Sequence, residues 1–185
     1  MNLKEMKQKV LGLIEEISPN NPNLTEDPDI AAKHNDVINQ IMFELARIKK
    51  IPKYVEMEVS AGDVVDFSDI ARECGYEVFQ VNLFGGVSNV PKASGTVYKI
   101  RESGTAEIDV SVYPERITST TKDTYEFELS EDALEIMPYG VAADLLKSDV
   151  SAEYGSIYAT RYESMKQMLD PRYAMPSITI EGGVI

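Results

Sequence analysis

The sequence predicts an α+β fold: a bundle of about four helices, two N-terminal and two C-terminal, with an inserted antiparallel β domain. Three observations carry this. Apolar residues recur at steps of three and four near both ends of the chain. Short alternating runs broken by turn residues fill the middle, roughly 54–129. Each helical pair also leaves an apolar stripe that it cannot bury alone. The expected division is 1–53 and 130–170 for the bundle, 54–129 for the β domain, and 171–185 for an extended C-terminal arm.

The first helix is expected over 3–17. Its stripe is Leu3, Met6, Val10, Leu13, Ile14 and Ile17, with Asn2 as N-cap and Ser18-Pro19 as the stop. A polar, proline-punctuated loop follows over 19–27. Its Asn23-Leu24-Thr25 matches a glycosylation sequon that a chain without a secretory signal does not use. The second helix spans roughly 28–50, capped by Asp27 with Pro28 at its first position. Its stripe is Ile30, Val37, Ile38, Ile41, Met42, Leu45 and Ile48.

Strands are expected at 54–59, 76–83, 96–100, 106–113 and 125–129. Arg101-Glu102-Ser103-Gly104 reads as a hairpin connection between the third and fourth of these. Val55, Met57, Val59, Val78, Val110 and Val112 should point inward, and Glu56, Glu58 and Asp109 outward. Ser130 caps a third helix that runs to about 147, with a kink or break expected at Pro138. Asp149 or Ser151 caps the last, which carries Tyr154, Ile157, Tyr158, Tyr162, Met165 and Leu169 before Asp170-Pro171. Ile38, Ile41 and Leu45 are expected against Leu145, Ile157 or Tyr158.

Charge narrows the function classes. Asp plus Glu is 31 against 18 for Lys plus Arg, a net of −13. Residues 1–53 hold 8 of each sign, so the whole excess lies in 54–185. Such a surface repels phosphate and argues against general nucleic-acid binding. The single Cys74 excludes an intramolecular disulfide and the single His34 excludes sites that need two histidines. No apolar run reaches the roughly 20 residues of a membrane span, and the charged residues after Met1 leave no apolar signal region. The product is therefore expected in a cytoplasm or in a particle assembled there.

The search for chemistry yields no motif that outweighs a structural account. Gly85-Gly86-Val87-Ser88, with Lys92 nearby, follows a strand, but a phosphate cradle normally opens a helix. Asp63, Asp66, Asp69 and Glu73 lack the spacing and central glycine of a calcium loop, so a solvated turn accounts for them. Glu56 and Glu58 share a strand face with Tyr54, a pairing expected by chance in so acidic a chain. His34, beside Lys33 and Asp36, reads as a surface histidine, and Cys74 has no activating neighbour beyond Arg72. Tyr154, Tyr158 and Tyr162 form a ladder suited to packing rather than to stacking bases. The expectation is no catalysis, no cofactor and no metal.

Two stretches resemble a known family. One is Asp27-Pro28-Asp29-Ile30-Ala31-Ala32-Lys33, leading to Asn35-Asp36-Val37-Ile38-Asn39-Gln40. The other runs from Leu129 to Leu146, with Met137-Pro138-Tyr139-Gly140-Val141-Ala142-Ala143-Asp144-Leu145 at its centre and Ser148-Asp149 after it. Both resemble the head-to-tail adaptor (head completion, neck or connector) proteins of tailed bacteriophages, which often carry Leu-Pro-x-x-Val-Ala-Ala-x-Leu before a Tyr-rich last helix. Here Met137 stands where that pattern has leucine. The resemblance covers the helical parts, about half the chain, and not 54–129.

It implies a structural virion protein assembled in the host cytoplasm. The chain would form a homo-oligomeric ring, commonly a dodecamer, between portal protein and tail or tail-completion protein. The genome would pass through without sequence-specific binding, and no membrane would be involved. Tyr173, Met175, Ile178, Ile180 and Ile185 are the candidate assembly-interface arm, being more apolar than a free terminus needs. A short strand returned to the chain's own sheet is the plainer reading of the same residues. Two other functions stay open on the residues: a carbohydrate- or peptide-binding module built on the β insertion, and a small hydrolase using the acidic cluster.

Overall fold

The computed structural model describes residues 1–16, 27–68, 77–92, 95–148 and 152–169. They form four helices and two three-stranded antiparallel sheets, a mixed α+β fold. In chain order these are α1 (Leu3–Leu13), α2 (Pro28–Ile48), β1 (Ile51–Val59), β2 (Val64–Asp66), β3 (Glu77–Gly85), β4 (Asn89–Pro91), β5 (Val97–Ile100), β6 (Gly104–Tyr113), α3 (Glu131–Leu145) and α4 (Ala152–Leu169). The stops at Ser18-Pro19 and Asp170-Pro171, the sequon, and the caps Asp149 and Ser151 lie outside the described residues.

The helix starts follow local chemistry. The Asn2 side chain accepts from the Glu5 N–H at 2.9 Å, and Glu5 Oε2 accepts from the Asn2 N–H at 3.0 Å, a reciprocal cap. Asp27 accepts from the N–H groups of Asp29 and Ile30 at 2.8 and 3.3 Å. α1 stops four residues short of Ile17 because Glu15 takes a left-handed φ of 60°. The Glu16 N–H then returns to the Leu11 carbonyl at 3.0 Å, a closure usually built on glycine.

α3 is the hub of the helices, packing against α1, α2 and α4. It buries Ala133, Leu134, Ile136, Met137, Pro138, Gly140, Val141, Ala142 and Leu145, so it is apolar on nearly every side. Of the kink or break expected at Pro138, the break does not occur: the helix runs on from Glu131 to Leu145. The proline forfeits one backbone bond, and burial all round the helix offsets that loss.

In the first sheet β6 lies between β1 and β3, with Tyr54 opposite Asp109, Val55 opposite Ile108 and Glu56 opposite Glu107. β1 starts at Ile51, before Tyr54, because it is an edge strand where Pro52 costs no ladder bond. Val59, Val110 and Val112 are buried and Val55, Met57 and Val78 half-buried, while Glu56 and Glu58 face solvent and Asp109 is partly exposed. The second sheet has β5 between β2 and β4.

Two strand expectations are corrected. β5 and β6 do not form a hairpin: they belong to different sheets. Their connection is held elsewhere, by Arg101 N–H to the Ser88 carbonyl and by the Ser103 hydroxyl accepting from the Ala61 N–H, both at 2.8 Å. Residues 125–129 form no strand beyond one bridge between Glu126 and Asn2. The carbonyls of Tyr125 and Asp123 accept instead from Leu3 and Lys4, which satisfies the open N–H groups at the start of α1.

Aromatic contacts tie the layers together. Phe67, Phe84 and Tyr98 join the two sheets with ring centroids 5.1–5.7 Å apart. Tyr113 of β6 meets Phe43 of α2 at 5.1 Å and Phe79 of β3 at 4.7 Å. Buried Asn39 clamps the chain after β6, donating to the Ile117 carbonyl at 2.7 Å and accepting from its N–H at 2.8 Å.

Candidate functional site

The most elaborated polar arrangement lies where α2, α3 and α4 meet. Gly140 lets the helices close up there: a Cβ on it would stand 2.8 and 2.9 Å from the Tyr162 ring and 3.1 Å from Ile41 Cγ2. A cleft of about 370 Å³ opens beside this junction, with Gln40, Glu44, Asp144, Lys147 and Glu163 among its lining residues. Glu44 accepts from the Tyr162 hydroxyl at 3.0 Å and from Lys166 Nζ at 2.7 Å, and Lys166 also bonds Glu163. Burial, then the Glu44 charge, pushes the Tyr162 hydroxyl well above its ordinary range, so it stays a proton donor. Burial works against the Lys166 charge, but its bonds to Glu163 and Glu44 outweigh that and raise it. Gln40 donates to Asp144 at 3.2 Å. These groups satisfy one another, and the result is an ion-pair clamp that fastens α4 to α2.

α4 is only half absorbed by the core. Tyr162 is buried, and the Tyr158 hydroxyl donates to the terminal Leu13 carbonyl of α1 at 2.6 Å. Tyr154, Ile157 and Met168 are 64%, 58% and 81% exposed, so of the three residues offered as partners of α2, Ile157 faces largely outward. With Arg161 and Ser164 they recur at alternating steps of three and four, one seam along the outer side of the helix. A shallow groove of about 470 Å³ follows that seam. The Arg161 guanidinium lies over the Tyr139 ring, 4.3 Å from its centroid.

The residues singled out for chemistry do not converge. Asp63 accepts from the Ser60 N–H at 3.1 Å, Asp66 accepts from Ser68, and Asp69 and Glu73 lie outside the described residues. Glu56 accepts from the Tyr54 hydroxyl at 2.9 Å and Glu58 from Thr105 at 2.6 Å. Among the described residues no group of three or more His, Cys, Asp or Glu is placed to hold a metal ion. Gly86, at φ +80°, serves the turn after β3, where a Cβ would come within 2.4 Å of the Thr105 carbonyl oxygen. Cys74 and the arm residues Tyr173, Met175, Ile178, Ile180 and Ile185 lie outside the described residues.

His34 is not a surface histidine. It is 6% exposed, on the buried side of α2 in line with Ile30 and Ile38. Its Nε2 has no hydrogen-bond partner among the described residues. Burial first, then the charge of Lys7, holds its pKa down to about 4. Spacing could have placed it, since 30, 34 and 38 are successive steps of four; its charged sequence neighbours misdirect the reading. The Glu44–Tyr162–Lys166 clamp has only a faint signal, a lysine one turn beyond a stripe tyrosine.

No family model matches the sequence, and no curated protein is similar enough to count as a relative. No helix among the described residues is long and apolar enough to cross a membrane.

Proposed function

We propose that this chain is a subunit of a head-to-tail adaptor ring in the neck of a tailed bacteriophage, joining portal to tail around the genome channel. In this reading the four helices are one bundle and 54–129 is a module inserted into it. The observation that carries the reading is the position of the adaptor-like stretch 129–146. It supplies α3, the helix that packs against the other three, so the residues of the resemblance are those that organise the helical body. The exposed apolar seam of α4 supports it further, because a ring subunit must keep surface for its neighbours. The surplus of 13 negative charges suits a passage along which DNA must slide without adhering.

The test is assembly with the portal protein of the same phage. Native mass spectrometry and electron microscopy of portal rings incubated with the purified chain should show a second, closed ring capping the portal. Portal rings left uncapped at saturating chain would reject the adaptor reading.

A further inference from the structure

The two sheets turn opposite charges outward. On the outer side of the first, Tyr54 and Leu83, 57% and 59% exposed, flank Asp109 across the register. The next rows hold Glu56 opposite Glu107 and Glu58 opposite Thr105. Two carboxylates directly opposite each other on one face repel. The density of negative charge is felt by Tyr54, whose pKa is raised to about 12 by its bond to Glu56 first, and also by the charges of Glu107 and Asp109. None of the ion pairs among the described residues engages Glu56, Glu58, Glu107 or Asp109.

The outer side of the second sheet is the counterpart. Val64, 62% exposed, lies opposite Lys99, and Lys99 in turn opposite Val90. Lys92 and Arg101 continue the same alternation just past the ends of β4 and β5, and both are exposed. Lys92, Lys99 and Arg101 have no carboxylate partner among the described residues. Asp66, the only carboxylate in the three strands, is hydrogen-bonded to its own neighbour Ser68. Three cations without a carboxylate partner among the described residues are unexpected on one small face of a chain of net charge −13.

Phe84 and Tyr98 stack between the sheets, so these outer faces look away from each other. Neither matches itself: acid against acid or base against base would repel. We infer that the acidic face around Tyr54 and Leu83 docks on the basic face around Val64 and Lys99 of a second copy of this chain. Such a contact is head-to-tail, so it propagates from copy to copy and gives a ring where its rotation closes. The inference deepens the ring reading above by naming the lateral contact.

The experiment uses two charge-reversed full-length variants, Glu56→Lys/Glu107→Lys and Lys92→Glu/Lys99→Glu. All four positions are exposed, so both should fold, which circular dichroism checks. Sedimentation velocity from micromolar to millimolar protein should show the wild type self-associating and losing association in high salt. Each variant alone should associate about tenfold or more weakly, because the reversal cancels or inverts the charge of one face and leaves the opposite face of the next copy without its complement. A mixture of the two should regain association, since in every contact between unlike copies that joins the two reversed faces the introduced lysines again meet carboxylates.

A wild type that stays monomeric throughout, variants that associate normally, or a mixture that does not recover would each overturn the contact. The adaptor reading is judged separately, by whether the wild type caps the portal. A chain that caps the portal with both variants unimpaired keeps its function and refutes this contact; a chain that obeys the charge swap without capping does the reverse.

Discussion

The buried His34 makes a quantitative prediction about acid. Its imidazole is neutral in the folded chain, with a pKa held near 4 against an ordinary 6.5. Between these values the unfolded chain binds a proton that the folded chain does not, so stability must fall as pH drops from about 6.5 towards 4. At about 1.4 kcal/mol per tenfold in proton affinity, the difference amounts to roughly 3 kcal/mol. Carboxylates titrate in the same range, so the comparison is with His34→Leu, which removes the imidazole alone. Urea unfolding from pH 7.5 to pH 4 should show the variant gaining on the wild type by about 3 kcal/mol as the pH falls. It should already be at least as stable at neutral pH, because a buried Nε2 without a hydrogen-bond partner among the described residues is gone. The chain has one histidine, so its imidazole resonance is assigned without ambiguity and its titration can be followed directly by NMR. A midpoint at or above 6.5, or parallel pH profiles for the two proteins, would refute the reasoning.

Three further substitutions probe the packing. Gly140→Val puts its first added carbon within 2.9 Å of the Tyr162 ring and should cost about 1–3 kcal/mol, seen as a thermal midpoint lowered by several degrees. Asn39→Leu strips the Ile117 N–H and carbonyl of their buried partners and should cost about 2–5 kcal/mol in denaturant unfolding, with 115–118 losing hydrogen-exchange protection first. Gly86→Ala meets both a left-handed φ and the Thr105 carbonyl at 2.4 Å, so it should lose more than about 1 kcal/mol; equal stability would show that the turn can relax.

What the sequence revealed divides along the range of the interaction. Helix starts depend on groups a few residues apart, and Asn2 as N-cap, Asp27 before Pro28, and Ser130 before Glu131 were all readable. Strand partners depend on residues far apart. The turn-like Arg101–Gly104 therefore suggested a hairpin, while β6 found β1 and β3, and β5 found β2 and β4. β2 and β4, three residues each, are too short to show a period. Tyr125 and Phe127 do alternate, but the donors facing that segment belong to the first turn of α1.

α4 shows a different limit. It carries two apolar series one position apart, Tyr154–Ile157–Met168 and Tyr158–Tyr162–Met165–Leu169, and apolar content alone does not say which faces inward. Glycine decides it. A Cβ on Gly155 would stand 3.2 Å from Leu146 Cβ, and one on Gly140 within 3 Å of the Tyr162 ring, so close helix approach selects the tyrosine series. The other series is left facing out because nothing among the described residues of the chain covers it. On the proposed ring reading its composition answers to a neighbouring subunit, as do the acidic and basic sheet faces. The same physics that orders the interior, apolar contact and opposed charge, extends on this account from the fold of one copy to the joining of several.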